Sequence, residues 1–460
     1  MTEFRIEKDS MGELNVPKNA LYGAQTQRAI NNFPISNIPM PKAFITSLIQ
    51  IKQAAAKANA KLGLLSEEKF SAIDAACNSL LIDPDLMKHF PVDIFQTGSG
   101  TSSNMNANEV IANLANQQRK LSLHPNDDIN LGQSSNDVIP TTIQVSAVLA
   151  TKEKLIPAIE HAIEIMEQRK VELKNYCKTG RTHLMDAMPI RMDQVISGWS
   201  SQLQMNVLAI QSILAQMQML PLGGTAVGTA VNAHPEFSVQ FNLALTKQTG
   251  IDFQCADNFF ALIGAQDNAV RLSGSLKAVA VSLMKIANDL RWMNSGPLAG
   301  LGEITLPTLQ PGSSIMPGKV NPVIPEAVAM VSAQVIGNDA AITVGGQSGN
   351  FELNVMLPVI ARNLLESVEI LTNSIKLLAD KAIAGFTVNA DNLARALNRN
   401  PVLVTALNPY IGYEKAAVIA KLAYQQNKPI IEVAMAETDF SKEKLMQLLD
   451  PKQLTENKSS

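Results

Sequence analysis

Aromatic residues make up only 5 % of this 460-residue chain and charged residues only 17 %, whereas 46 % of the residues are hydrophobic. Ala, Leu, Ile, Val and Met must therefore form most of the core, a composition that favours packed helices. Lys and Arg nearly balance Asp and Glu, which leaves a formal net charge of −3. Because the chain has no long basic block, we expect no nucleic-acid partner.

Cysteine is also scarce. Cys77, Cys177 and Cys255 are isolated, odd in number and without CxxC spacing, which excludes a disulfide framework and gives no ligands for a zinc or iron–sulfur site. The five histidines show no metal-ligand spacing either. We therefore expect neither a metal nor a cofactor.

No run of about 18 or more apolar residues without a charge occurs, so we expect no membrane span. The first ten residues mix acids and bases, unlike a secretory signal or an acid-poor organelle presequence. We therefore expect a cytoplasmic protein.

Long stretches of helical periodicity dominate the middle of the sequence. Prolines at positions 17, 34, 39 and 41 predict an irregular start made of loops, followed by a helix over 42–61. Apolar residues then recur three and four apart in five long stretches, which predict a helical bundle. These stretches cover 148–166, 195–220, 269–293, 325–344 and 352–383. We predict an all-α fold with three domains, at 1–133, 134–388 and 389–460, the last being small and helical.

Four polar, glycine-rich segments interrupt the helical pattern, and such loops commonly carry functional groups. The first two, at 96–109 and 124–140, cluster hydroxyls and amides, and the first also has glycine N–H groups and almost no formal charge. Each precedes a predicted helix, where unpaired N–H groups suit a carboxylate. Helix capping explains the same residues, and both interpretations stay open here.

The third segment, 180–189, contains His183, which is either a proton-transfer group or an ordinary hydrogen-bonded histidine. The fourth, 311–322, has three prolines and two glycines, which predict a loop between two helices. It combines Ser313 and Ser314 with Lys319 and Asn321. Ile315 and Met316 in the same loop prefer burial, which favours a lid that closes over substrate more than an ordinary surface loop.

The chain has no P-loop and no nucleotide-binding fingerprint. The segment 223–228, Gly-Gly-Thr-Ala-Val-Gly, follows a helical pattern and has the wrong spacing for a dinucleotide loop, so it predicts a tight turn between helices. The ligand expected from the four segments is small and anionic, bound by neutral donors. His183 and a nearby carboxylate are the obvious groups for proton transfer.

The segment GSSIMPGKVNP at 312–322 resembles the signature loop of the fumarase/aspartase superfamily. The resemblance extends, in the expected order, through QTGSGTSSNMNANEV (96–110), HPNDDINLGQSSND (124–137), GRTHLMDAMP (180–189), PLGGTAVGT (221–229) and GNFELNV (349–355). Within that superfamily the chain is most similar to the class II fumarases. The resemblance implies a lyase that adds water reversibly to fumarate to give L-malate, in the tricarboxylic acid cycle.

The same resemblance implies that the long helices of four chains form a twenty-helix core in a homotetramer, with each active site shared by three chains. It assigns substrate binding to Ser99, Gly100, Thr101, Ser134, Ser135, Asn136, Thr182, Ser314, Lys319, Val320 and Asn321. Ser313 resembles the base that removes the C3 proton of malate, and His183, paired with Glu326, resembles the acid that protonates the leaving hydroxyl through a water. Which of Ser313 and His183 takes each proton step stays open. A second carboxylate site is implied at His124, Pro125, Asn126 and Asp127, which helix capping explains equally well.

Three other interpretations compete with a hydratase. An aspartase shares the loop but usually has Gln at the position of His183. A non-catalytic protein of this superfamily, such as a lens crystallin, is expected to lose Ser313, His183 or Lys319. An iron–sulfur hydratase needs cysteine ligands, which this sequence does not offer. The sequence departs from the family pattern at Met185, where Gln is common, and at Asp193, where Gly is common.

Overall fold

The computed structural model describes residues 3–456. The chain begins with an antiparallel hairpin of strands β1 (Phe4–Asp9) and β2 (Gly12–Pro17), in which Phe4 lies opposite Pro17. Gly12 closes the turn at φ +120°, a conformation that residues other than glycine rarely adopt. The prediction of an irregular start is therefore wrong for these residues, and also for Ala24–Asn32, which form a helix. In the sequence, the strands are indicated by apolar residues at alternate positions, 4 and 6 in one strand and 14 and 16 in the other.

Helices follow the hairpin. The predicted helix 42–61 is confirmed and begins directly after Pro41, whose missing N–H costs nothing there. Helix 67–81 is capped by Ser66, whose side chain accepts a hydrogen bond from the Lys69 N–H. The helices of this part are α1 (Ala24–Asn32), α2 (Lys42–Lys61), α3 (Glu67–Leu81), α4 (Thr101–Arg119) and α5 (Ser135–Ala150).

Five long helices appear in the predicted order. The first stretch, 148–166, begins inside α5 and continues through a π-helical turn (Thr151–Leu155) into the helix Ile156–Leu173, and the helix of the second stretch ends at Met217 because residues 219–220 form a strand. The last begins at Leu357 and not at residue 352, because residues 349–354 form a short hairpin. In chain order the middle region consists of α6 (Ile156–Leu173), β3 (Cys177–Thr182), β4 (Met185–Arg191), α7 (Met192–Met217), β5 (Met219–Leu220), α8 (Phe237–Thr249), β6 (Gln254–Cys255), α9 (Phe259–Gly264), α10 (Asp267–Met293), β7 (Ile304–Thr305), α11 (Val323–Gly346), β8 (Gly349–Asn350), β9 (Leu353–Asn354) and α12 (Leu357–Leu378).

Short helices make up the C-terminal region, as predicted. Leu403, Leu407, Ile419, Val433 and Leu445 form a small apolar core there. The elements are β10 (Thr387–Val388), α13 (Ala390–Asn398), α14 (Asn408–Ile411), α15 (Tyr413–Gln426), α16 (Ile430–Glu437), α17 (Lys442–Leu448) and α18 (Pro451–Leu454). Within residues 3–456 every strand belongs to a two-stranded sheet. Helix dominates, and the all-α prediction is confirmed.

Contacts divide the described chain into two compact units. The first contains residues 3–157, 206–280 and 333–372, and the second contains 158–205, 281–332 and 373–456. All five boundaries fall inside the long helices α6, α7, α10, α11 and α12. In the first unit, α2 packs against α3, α5 and α8. The division into domains at residues 133 and 388 stays a prediction.

Helix α11 is the one helix within residues 3–456 that has the length and composition of a membrane span. Such a match is weak evidence, since core helices of globular proteins pass the same criteria. Only 33 % of its most apolar window is buried. Asp339 within it is buried, accepts a hydrogen bond from Ser273 at 2.7 Å and pairs with Lys277 at 2.6 Å.

Candidate active site

The first polar segment forms a tight loop that leads into α4. Gly100 stands at φ +72° at the helix start, and a Cβ there would lie 2.9 Å from the side chain of Ile139 on α5. The hydroxyls of Ser99 and Thr101 are hydrogen-bonded to each other at 2.8 Å. Glycine therefore brings the loop close to α5, and two hydroxyls lie side by side at a helix N-terminus, where an anion binds favourably.

The second segment caps α5. The Ser134 hydroxyl accepts a hydrogen bond from the Asn136 N–H at 3.2 Å, and the Asp137 carboxylate accepts one from the Ser134 N–H at 2.9 Å. The predicted capping role is thus confirmed. The side-chain amide of Asn136 donates to the carbonyl of Ala226 at 2.8 Å. A cavity of about 370 Å³ is lined by Ser134 and Ser135 together with further polar residues, so capping and ligand binding are compatible.

Asp137 ties this cap to the glycine-rich segment 223–228. Its other carboxylate oxygen accepts the N–H groups of Gly223 at 3.0 Å and Thr225 at 2.8 Å. Burial raises the pKa of Asp137 to about 6, although the three N–H donors act in the opposite direction. The segment follows the short strand β5 and not a helix directly, which corrects that detail of the prediction.

Asn104 links the first two segments. Its side-chain amide donates to the Ser135 hydroxyl at 3.0 Å and to Asn130 Oδ1 at 3.2 Å. Asn104 lies on α4, one turn after Thr101, and is almost completely buried. Hydrogen bonds through Asn104 therefore join the first and second polar segments, which are the two candidate carboxylate-binding segments of this unit.

The third segment is the tip of the β3–β4 hairpin. Thr182 pairs with Met185, so His183 and Leu184 form a two-residue turn, with φ of +57° and +62°. Such turns prefer Asn-Gly, and Leu184 in particular is a residue that rarely adopts a left-handed backbone. Strained backbone of this kind is often found at functional sites. The His183 side chain is exposed.

A buried carboxylate anchors this hairpin. Glu303 pairs with Lys178 at 2.7 Å and with Arg181 at 2.6 Å, and only 2 % of Glu303 is exposed. Burial lowers the pKa of Lys178, and Glu303 partly offsets that effect. At the other end, Asp193, the departure from the family pattern, pairs with Arg191 at 2.9 Å. The hairpin base thus has an ion pair that a glycine at position 193 could not form.

The fourth segment is a loop, as predicted. The Ser313 hydroxyl accepts the N–H groups of Ile315 at 3.2 Å and Met316 at 3.0 Å. The loop is closed by Asn321, whose side chain donates to the Gly312 carbonyl at 2.8 Å, and by the Gly312 N–H, which donates to the Lys319 carbonyl at 2.8 Å. Ile315 is 83 % exposed, so the burial expected for a closed lid is absent from this conformation of the described chain.

Lys319, Val320, Asn321 and Glu326 line one cavity of about 940 Å³. Glu326 lies in the first turn of α11, where a negative charge is also favoured by the helix dipole. Ser313 and Ser314 belong to the same loop but do not line this cavity. Within residues 3–456 no hydrogen bond or ion pair joins His183 to Glu326.

The residues of the second carboxylate site form a cap. The His124 ring Nδ1 accepts the N–H groups of Asn126 and Asp127, both at 3.3 Å, at the start of a single π-helical turn, Pro125–Ile129. His124 Nδ1 also lies 3.3 Å from the Asp127 carboxylate. Capping accounts for this arrangement, and a ligand-binding role stays a prediction.

Known proteins resemble this chain along nearly its whole length. A family model described as "Lyase" matches residues 12–337, and one described as "Fumarase C C-terminus" matches residues 403–456. A Pseudomonas aeruginosa protein named fumarate hydratase class II 2 is 61 % identical over 455 residues, which cover 99 % of each chain. This chain belongs to the class II fumarate hydratases. A Xylella fastidiosa fumarate hydratase class II is 58 % identical, over 98 % of this chain and 96 % of its own. The crystal structure of class II fumarase from Schistosoma mansoni, 37 % identical, matches with a TM-score of 0.95 over 98 % of this chain and 99 % of that one.

Membership in the class II fumarate hydratases confirms the resemblance seen in the sequence and the assignment to the lyases. Sequence reasoning missed two residues that organise the candidate site, Asn104 and Asp137. Asp137 had a detectable signal, because a serine followed three residues later by an acid is a helix-start pattern. Asn104 had no such signal in the sequence, since its hydrogen bonds join residues that are far apart along the chain.

Proposed function

We propose that this protein is a fumarate hydratase, which catalyses the reversible hydration of fumarate to L-malate in the tricarboxylic acid cycle. The observation that carries the proposal is the Ser313 loop, in which the serine hydroxyl accepts two backbone N–H groups and from which Lys319 and Asn321 line a cavity with Glu326. The names of the relatives at 61 % and 58 % identity support the same activity. Their names favour a hydratase over an aspartase or a non-catalytic protein.

Ser313 is the proposed base that removes the C3 proton of malate. A serine hydroxyl is a weak acid and needs stabilisation of its negative charge to act as a base. The N–H groups of Ile315 and Met316 both point at its oxygen and favour the deprotonated form. They also fix the direction of the oxygen, so the lone pair that takes the proton is oriented in advance.

Removal of a proton beside a carboxylate produces an aci-carboxylate dianion, whose new charge needs donors already in position. Lys319 supplies a cation, and Asn321 has a second amide hydrogen besides the one given to Gly312. Ser99, Gly100, Thr101, Ser134, Ser135, Asn136, Thr182, Ser314 and Val320 complete the proposed substrate site. The polar side chains among them offer hydroxyls or amides, which bind a dicarboxylate and leave proton transfer to other groups.

His183 is the proposed acid, which protonates the leaving hydroxyl through a water, and Glu326 is its partner. Because the two are not hydrogen-bonded within one chain, the pair forms between chains in this proposal. Each active site then combines Ser134 to Asn136, His183 and the Ser313 loop from three chains of a homotetramer.

Exposed apolar side chains on the long helices support this assembly. Met330 is 68 % exposed, Ile336 41 % and Val344 51 % on α11, and Leu208 on α7 is 66 % exposed. A single chain in water gains from covering such surfaces. Copies of the same helices are the proposed cover, in a twenty-helix core. A cytoplasmic location is also proposed, and it suits the three free thiols.

The proposed activity is tested by the ultraviolet absorbance of the fumarate double bond. Purified protein with malate is expected to generate fumarate, with aspartate to release no ammonia, and to keep its rate in chelator. Faster turnover of aspartate than of malate contradicts the proposal. Loss of activity in chelator that is recovered with a divalent ion, or with iron and sulfide, contradicts the proposed metal-free mechanism.

A further inference from the structure

Lys52 is a buried lysine whose ammonium group has no carboxylate as a hydrogen-bond partner in residues 3–456. It lies on α2 with an exposed fraction of 0 %. Its Nζ donates to Asn130 Oδ1 at 2.8 Å and to Gln133 Oε1 at 3.0 Å, and both acceptors are neutral amides. Burying a charge in this way costs folding free energy, so packing alone does not account for a lysine here.

Two titratable groups act on Lys52 from the neighbouring helices. Asp137 on α5 attracts the ammonium, and so does the thiolate form of Cys77 on α3. Burial raises the pKa of the Cys77 thiol far above neutrality, so Cys77 supplies no negative charge there. Burial outweighs the attraction of Asp137 and lowers the pKa of Lys52 to about 7. The ammonium is therefore a cation whose charge is only partly compensated.

The two acceptors belong to the turn that precedes the substrate-binding cap of α5. The Asn130 amide donates to the Gln133 carbonyl at 3.1 Å, and the Gln133 amide donates to the carbonyls of Ile129 at 3.1 Å and Leu131 at 3.3 Å. Asn130 Oδ1 also accepts the Asn104 amide, which in turn donates to Ser135. Lys52 thus donates hydrogen bonds to both ends of this turn, residues 130 and 133, from its buried side.

The same turn faces the cavity of the cap. Asn130 and Gln133 line the 370 Å³ cavity with Ser134 and Ser135. A positive charge one hydrogen bond behind these residues attracts an anion in the cavity, and the attraction is stronger than between two exposed charges because Lys52 itself is buried.

We propose that Lys52 is a positioning residue for substrate: it fixes the turn 130–133 that presents Ser134 to Asn136, and its charge strengthens the binding of a substrate carboxylate. This inference rests on the proposed hydratase function. Lys52 touches no substrate, and it acts through Asn130 and Gln133.

The test compares Lys52→Met with the matched control Lys57→Met, which removes a lysine from the exposed face of the same helix. Loss of a charge-assisted contact is expected to raise KM for malate, and Ki for an unreactive dicarboxylate such as succinate, by about tenfold or more. The change in kcat is expected to be smaller, because Ser313 and His183 are untouched. Lys57→Met is expected to keep wild-type KM and Ki.

A second variant, Gln133→Glu, covers the case in which Lys52→Met does not fold. It keeps the shape of the side chain and gives Lys52 a carboxylate at hydrogen-bond distance, so it cancels the positive charge, and it also removes the amide that donates to Ile129 and Leu131. The expected result is again a raised KM and Ki. In the wild-type protein, affinity for succinate is expected to fall as the pH rises from about 6 to about 8, because Lys52, with a pKa of about 7, loses its charge and Asp137, with a pKa of about 6, completes its ionisation. In either variant the part of the pH dependence that is due to Lys52 is expected to disappear.

Wild-type KM and Ki in folded Lys52→Met overturn the inference, as do wild-type affinity and pH dependence in Gln133→Glu. A lower kcat with unchanged KM and Ki in either variant also overturns the inference, because that pattern indicates general damage to the fold. Failure of the wild-type protein to turn over malate is a different result, and it contradicts the proposed function itself.

Discussion

At Gly98 the substrate-binding loop 96–101 passes very close to residues 355–357 of the same unit. Its carbonyl accepts the N–H of Leu357 at 3.0 Å, at the start of α12. A Cβ added at Gly98 would lie 1.9 Å from the carbonyl oxygen of Val355 and 2.6 Å from the carbonyl carbon. The obstacle is backbone, so no change of rotamer can relieve it.

The size of the effect of Gly98→Ala follows from these distances. An ordinary non-bonded contact needs about 3.5 Å, so the loop or residue 355 must move by roughly 1.5 Å. Forcing an extra methyl group into packed structure costs about 1–3 kcal/mol of unfolding free energy. The loop carries Ser99 and Thr101, and a displacement of about 1 Å in a binding group costs on the order of 10²-fold in rate. We therefore expect kcat/KM for malate to fall by about 10²-fold.

Fumarate absorbance gives kcat/KM, and urea denaturation gives the change in stability. The control is Gly63→Ala: this glycine has φ +73°, and no atom lies within 4 Å of the place its new methyl group would occupy. Only backbone strain of about 1 kcal/mol is therefore added there, with no effect on kcat/KM. Wild-type kcat/KM and stability in Gly98→Ala would refute the reasoning.

Three further predictions concern catalysis and assembly. His183→Asn is expected to lower turnover by roughly 10²–10⁴-fold, the usual contribution of a positioned acid or base. His124→Asn keeps the helix cap and is expected to keep wild-type turnover. Equal losses of the two variants in steady-state assays would contradict this assignment. Mixing His183→Asn with Ser313→Ala under reversible dissociation is expected to restore activity, because some shared sites then contain only intact segments; mixed assemblies that stay inactive, although both parents fold, refute site sharing. Met330→Glu is expected to shift the protein to smaller species in light scattering and to inactivate it, since a charge in an apolar interface is unfavourable; an intact active tetramer would show that α11 is not buried there.

The sequence predicted the features that depend on neighbouring residues. Helix α2 has the predicted bounds because its apolar residues recur at helical spacing and Pro41 precedes it. The loop 311–322 follows from its prolines and glycines, and the capping role of Ser134 follows from its place before α5. The family motifs were recognisable for the same reason, since each is a short continuous segment. The N-terminal hairpin is the exception: prolines exclude helix but do not exclude strands, and the side chains of residues 4–17 alternate as strands require.

The tertiary structure decided which segments act together. Asp137 meets Gly223 across 86 positions, and Lys52 meets Asn130 across 78 positions. No periodicity or spacing in the sequence identifies such pairs, because they depend on which helix faces pack against each other. Burial likewise belongs to the packed fold: Lys52 looks like an ordinary helix lysine in the sequence, and only the helices packed against α2, among them α3, α5 and α8, bury it.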